Sequence, residues 1–188
     1  METINGLAYY ENFLTDEEED DLLEKIYAHK WDSRLSRRVQ HYGHLYTYNH
    51  VDNNDAPVVE PIPKWILKLF KKLVSNDIAP DIDIDKLQVI INEYKPGQGI
   101  GRHIDDPIKF GKWVISVSLN SGCEVFFANK KTNKVCKIYV ARCSVYRMKK
   151  DARYLWTHQI SPKKKDIVDG ITINRETRIS ITFREVSA

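Results

Sequence analysis

Residues 177–186 read TRISITFREV. The run is rich in β-branched and aromatic residues and reads as a strand, on which Arg178 and Arg184 stand six residues apart. An even separation puts both guanidiniums on one face. A guanidinium facing a β interior is costly unless it meets an anion, and its planar fork suits a carboxylate. A second run, LQVIINEY at 87–94, puts Asn92 and Tyr94 on one common face and offers an amide and a phenol to the same anion. The competing reading is an exposed face of alternating polar residues. Two strands converging on one kind of ligand lower its weight.

Working outward, WVISVSLN (113–120), EVFFAN (124–129), CKIYVA (136–141) and SVYRM (144–148) are further short strands, separated by turn-prone pieces such as NSG and KKTNK. Six strands in about 100 residues imply a sandwich or barrel, not a βαβ fold. Before them lie two helices. In FLTDEEEDDLLEKIYAHKW, Thr15 and Glu18 match a capping box and Leu22, Leu23, Ile26 and Tyr27 form an apolar stripe. In PKWILKLFKKLVSND, Trp65, Ile66, Leu69, Phe70 and Leu73 repeat at helical spacing. The acidic run of the first helix and Lys71 and Lys72 of the second are expected to face water. The chain therefore reads as one mainly β domain over 1–188. Its N-terminal helices and a recognition segment occupy 1–85, and an antiparallel core occupies 86–188.

Composition sets wide bounds. With 188 residues, 42% hydrophobic and 29% charged, the chain can build one core and is not a disordered type. A net charge of +3 permits contact with phosphates without demanding it. No stretch suits a membrane span or a secretory signal, so an intracellular protein, cytoplasmic or nuclear, is expected, and a monomer with no membrane partner. Cys123, Cys136 and Cys143 lack the spacing of a zinc or redox pair and read as small hydrophobes.

The chemistry concentrates in GIGRHIDDP, residues 99–107. In extended backbone His103 and Asp105 point the same way and can grip one ion, although an isolated H-x-D is a weak signal. Of six histidines only His158, in RYLWTHQI, shares the β half with that pair. It is either a hydrogen-bonded core imidazole or the third ligand, and the upstream pair favours the ligand. Two histidines and a carboxylate on a facial triangle are the set of non-haem Fe(II) oxygenases.

These pieces resemble, in order and approximate spacing, the AlkB-like Fe(II)/2-oxoglutarate dioxygenases. The resemblance rests on N-x-Y at 92–94, Pro96-Gly97, H-x-D at 103–105, ISVSL at 115–119, His158, and R-x-S-x-T-F-R from Arg178 to Arg184, and it covers about residues 35–186. It implies a double-stranded β-helix (jelly-roll) with Fe(II) held by His103, Asp105 and His158. It also implies 2-oxoglutarate as co-substrate, its distal carboxylate on Arg178 with help from Asn92 and Tyr94, and Arg184 near the end that chelates iron. Some members have asparagine where this chain has Ser180, which puts one polar contact near the co-substrate in doubt. The implied reaction uses O2, converts 2-oxoglutarate to succinate and CO2, hydroxylates a substrate C–H bond, and needs no side-chain base.

The substrate is less sharply written. LSRRVQHYGHLYTYNH, residues 35–50, mixes cations and aromatic faces and resembles the family's nucleotide-recognition segment. On that likeness Arg37, Arg38, His41, Tyr42 and Tyr46 are candidate substrate contacts, able to meet phosphates and stack a base. Asp106 and Trp156 are further candidates for the pocket wall. Packing explains the same aromatics about as well. The expected activity is oxidative dealkylation of N-alkylated bases in DNA or RNA. The alternatives are hydroxylation of a modified tRNA wobble uridine, whose family branch NEYKPGQGI, RYLWTHQI and RRVQHYG resemble, and hydroxylation of a protein.

Overall fold

A computed structural model describes residues 4–44 and 59–187. Strand β12 (Arg178–Val186) lies at the centre of a six-stranded antiparallel sheet. The sheet runs β1 (Leu7–Tyr10), β8 (Ser144–Lys149), β5 (Phe110–Leu119), β12, β3 (Leu87–Tyr94), β2 (Val39–Tyr42). A second sheet of four strands runs β4 (Ile100–His103), β9 (Trp156–Ile160), β6 (Cys123–Asn129), β7 (Val135–Val140). Strands β10 (Lys165–Val168) and β11 (Ile171–Asn174) form a separate two-stranded sheet among the described residues. The two facing antiparallel sheets form the double-stranded β-helix that the motifs implied.

Alternation along β12 divides the molecule into two cores. Ile179, Ile181 and Phe183 face α1 (Asp16–Ala28) and α2 (Lys64–Ser75), where they pack with Leu22, Ile26, Leu69 and Phe70. The even-numbered residues face the other sheet. That inter-sheet space is closed by Tyr94, Val114, Val125, Phe127, Tyr146 and Trp156. An arginine at 178 or 184 is therefore buried between sheets, whereas one residue along it would have entered the helix-side core.

The six expected strands are present, and the six further ones among the described residues are short. Strand β2, VQHY, is half polar, and β4, IGRH, carries a glycine and two polar residues, so neither has the composition that marks a strand. Both are held by their neighbours: β2 by β3, and β4 by β9. The capping box of α1 forms as expected, with Thr15 and Glu18 satisfying each other's backbone N–H. Its acidic face is not simply solvated. Glu18 takes Lys72 of α2 at 2.5 Å, and Glu19 is 1% exposed, bonded to Arg142 and to the Asn120 amide. The first pair ties the two helices to each other and the second ties α1 to the strand ends at Asn120 and Arg142. This corrects the expectation for Glu18, Glu19 and Lys72, while Asp16, Glu17, Asp20 and Asp21 face water as expected.

Candidate active site

Strand register brings the metal candidates together. His103 and His158 are direct cross-strand partners on β4 and β9, with ring centroids 4.2 Å apart. Asp105 follows two residues beyond the end of β4, and its Oδ2 lies 3.5 Å from His158 Nε2. Ligand atoms of the three residues all fall within 4.8 Å of one another. His103 Nδ1 sits 2.8 Å from the Gly101 carbonyl, which holds the ring by one nitrogen and leaves Nε2 for an ion.

Electrostatics prepare the donors. Burial pushes His158 down to about 4, against the opposing pull of Asp105, so its ring is neutral at pH 7 as a ligand must be. Burial acts in the opposite sense on the Asp105 carboxyl and raises it. The positive charge of Arg184, with smaller electrostatic contributions from His158, His103 and Arg153, outweighs that and holds it below the ordinary carboxylate range. Arg184 Nη1 donates to Asp105 Oδ1 at 2.6 Å. The three donors thus suit a divalent cation of the iron type.

All three open into one cavity of about 440 Å³, and the even face of β12 forms its floor. Arg178 is 3% exposed. Its Nε donates to Ser118 Oγ at 2.9 Å, while Nη1 and Nη2 have no hydrogen-bond partner among the described residues. Buried donors are nearly always satisfied, so this guanidinium is built to receive an anion. Tyr94 lies beside it, with the Arg178 and Arg37 guanidiniums 5.8 and 5.7 Å from its ring centroid. Arg37 Nε donates to Asn92 Oδ1 at 2.9 Å, and Ser180 Oγ meets Ser116 Oγ at 2.9 Å. Two imidazoles and a carboxylate at one end of a cavity, with unspent arginine donors at the other, are the donor set that an iron oxygenase with an anionic co-substrate would use.

Sequence comparison makes the class specific. The 2OG-Fe(II) oxygenase superfamily matches residues 25–184, and the chain belongs to that superfamily as an AlkB-like dioxygenase. It is 38% identical over 185 residues to uncharacterized protein L905 of Acanthamoeba polyphaga mimivirus, covering 97% of this chain and 86% of that one. It is 34% identical over 207 residues to the tRNA (carboxymethyluridine(34)-5-O)-methyltransferase alkbh8 of Xenopus tropicalis, covering 96% of this chain and 32% of the relative. The chain thus spans about a third of that relative's length. OsALKBH1 shares the fold with a TM-score of 0.68 at 18% identity, over 98% of this chain and all of that one. A Pseudomonas putida prolyl-4-hydroxylase shares it at 0.58 and 13%, over 97% and 93%. Membership brings Fe(II), 2-oxoglutarate and O2 as the cofactor set.

Of the candidate substrate contacts among the described residues, the structure brings only Arg37 to the cavity. Arg38, next in sequence, turns to the other face, pairs with Glu93 at 2.6 Å and lies 4.6 Å over the Trp31 ring. Tyr42 belongs to the helix-side core, 2% exposed against Trp65, with its hydroxyl donating to Gln40. His41 stands opposite Ile90 on the cavity side of the sheet but is buried and does not line the cavity. Asp106 caps the following turn by accepting from the Ile108 and Lys109 amides, and Trp156 packs in the inter-sheet core. Tyr46 lies outside the described residues. Sequence reading missed Ser118, Tyr146, Thr182 and Arg102 as lining or supporting residues. The S-V-S alternation at 116–118 was the available signal, since two serines on one face of an apolar strand mark a polar interior.

Proposed function

We propose that this dioxygenase oxidises an alkyl substituent on a nucleobase of DNA or RNA, acting as an intracellular monomer. One observation carries the reading. The metal triad and the unspent donors of Arg178 share a cavity whose wall includes two cations of separate origin, Arg37 before β2 and Arg102 on β4. Relatives named for tRNA, DNA and RNA modification support it.

When bound, iron and 2-oxoglutarate together supply the oxidant: O2 gains four electrons, two from the oxidative decarboxylation of 2-oxoglutarate and two from the C–H bond, giving succinate, CO2 and the alcohol. The chain's own residues position the reactants. Arg178 Nη1 and Nη2 take the distal carboxylate, with Ser118 fixing Nε and Tyr94 and Asn92 flanking it. Arg184 keeps Asp105 ionised and aimed. Val114, Val125 and Ile160 give the cavity an apolar stretch of wall. Hydroxylation of a methyl on nitrogen gives a product that breaks down to formaldehyde and the free amine. A carbon-bound substituent keeps its hydroxyl.

A second reading, hydroxylation of a carbon-bound group on a tRNA wobble uridine, draws support from relatives named for carboxymethyluridine 34. The test is succinate formation by iron-loaded protein with methylated single- and double-stranded oligonucleotides and with tRNA bearing a 5-carboxymethyl-type uridine. Turnover with formaldehyde from methylated bases supports dealkylation. Turnover on the tRNA without formaldehyde moves the assignment to the second reading, and no stimulation by any nucleic acid overturns both.

A further inference from the structure

Arg153 is the largest side chain among the fully buried residues, 2% exposed, and forms no ion pair among the described residues. It lies on α3 (Lys150–Tyr154), the short helix that leads into β9 five residues before His158. Its guanidinium is spent on backbone. Nη1 donates to the Asp105 carbonyl at 2.7 Å, and Nη2 to the carbonyls of Asp106 at 3.1 Å and Phe110 at 3.2 Å. Nε donates to the Gly111 carbonyl at 3.3 Å. A buried guanidinium is expensive, and burial indeed weakens its hold on the proton. An apolar side chain would fill the same volume, but it could not collect four carbonyls, two from the loop after β4 and two from the first residues of β5.

That loop carries the metal carboxylate. His103 and His158 are set against each other by the β4–β9 ladder, but Asp105 stands past the end of β4, where no ladder reaches it. Two arginines hold it instead: Arg184 grips the carboxylate, and Arg153 grips the backbone of the same residue. We infer that Arg153 is a positioning residue for the metal centre, tying the 105–111 segment to the element that delivers His158 and so fixing where the third ligand stands relative to the two imidazoles. The inference rests on the metal triad and is independent of which substrate the enzyme takes. Lysine is a poor replacement, because its donors radiate from one nitrogen and cannot span carbonyls spread along a loop.

The test is Mn(II) titration of the full chain by calorimetry and visible absorption of the Co(II)-loaded protein, both with 2-oxoglutarate present. Arg153→Lys and Arg153→Met are compared with Arg147→Lys. Arg147 also clamps carbonyls, those of Asp77 and Ile78, but on the helix side of the sheet. Loss of an outer partner of a metal ligand typically lowers affinity about 10–100-fold. Both Arg153 variants should therefore lose at least about tenfold in Mn(II) affinity and alter the Co(II) spectrum, with Arg153→Lys losing less, whereas Arg147→Lys alters neither. If the Arg153 variants do not fold, Tyr154→Leu decides. It removes the half-exposed ring 5.2 Å from the guanidinium and should weaken Mn(II) binding in the same direction by a smaller factor. Wild-type affinity and spectrum in a folded Arg153 variant, or in Tyr154→Leu when those variants do not fold, overturn the assignment.

Discussion

Arg184 and Asp105 form a buried ion pair, Nη1 to Oδ1 at 2.6 Å, in which neither residue exceeds 8% exposure. It joins β12 of the large sheet to the loop that carries the proposed metal carboxylate, and it gives that carboxylate a positive partner of its own. Removing one member of such a pair leaves an uncompensated buried charge, at about 3–5 kcal/mol. Arg184→Gln should therefore destabilise the metal-free protein strongly. A divalent ion on the triad supplies the missing positive charge, so Mn(II) should recover part of the loss. Melting with and without Mn(II) tests this; an equal loss in both states would place the role of Arg184 elsewhere.

Arg178 presents two unspent terminal NH2 groups in a buried site. Truncating one side of a buried charged pair costs about 2–5 kcal/mol, so Arg178→Ala should raise the apparent KM for 2-oxoglutarate at least ~30-fold while leaving metal affinity near wild type. Ser118→Ala removes only the acceptor that steadies Nε and should have a smaller effect in the same direction. Steady-state succinate formation measures both. An unchanged KM in Arg178→Ala would remove the co-substrate from this arginine.

His103 is partly exposed, and its ring is held by one carbonyl and the neighbouring imidazole. His103→Ala should abolish turnover but shift the melting temperature of the metal-free protein by only a few degrees, on the scale of about 1 kcal/mol. The discriminating signal is the Mn(II)-induced rise in melting temperature, which the variant should lose. Full turnover in His103→Ala would dissolve the triad.

What could be read from the chain and what could not divides along a physical line. Period-two alternation is local, so the shared face of Arg178 and Arg184, and of Asn92 and Tyr94, was visible in the strand sequences themselves. The split between Arg37 and Arg38 was not. Consecutive residues point to opposite faces, and which of the two enters the cavity depends on how the segment leading into β2 docks against β3, where Val39 lies opposite Asn92. Tyr42 and Trp156 show the same limit. An aromatic beside a site and an aromatic in a core have the same composition, and only the register separates them. Arg153 was hidden for a different reason, since its partners are backbone carbonyls that no sequence motif displays.

His41 is the group that should make stability depend on acid. Burial holds it at about 4, opposed by Asp32 and reinforced by the positive charges of Arg184, Arg34 and Arg37, and Nδ1 has no hydrogen-bond partner among the described residues. In the unfolded chain the ring titrates near the ordinary value of about 6.5. Between those two values the unfolded state binds more protons than the folded state, so stability rises with pH through this window. The contribution is fully present above about 6.5 and is lost as the pH falls towards about 4. For a shift of this size the loss at pH 5 is about 2 kcal/mol. His41→Phe keeps an aromatic ring of slightly larger size at this position, removes the titration and relieves the unpartnered nitrogen. The variant should match or exceed wild-type stability at pH 7 and lose about 2 kcal/mol less on acidification. Urea unfolding midpoints at pH 7 and pH 5 measure the difference, and identical acid losses in the two proteins would show that His41 is solvated and charges freely.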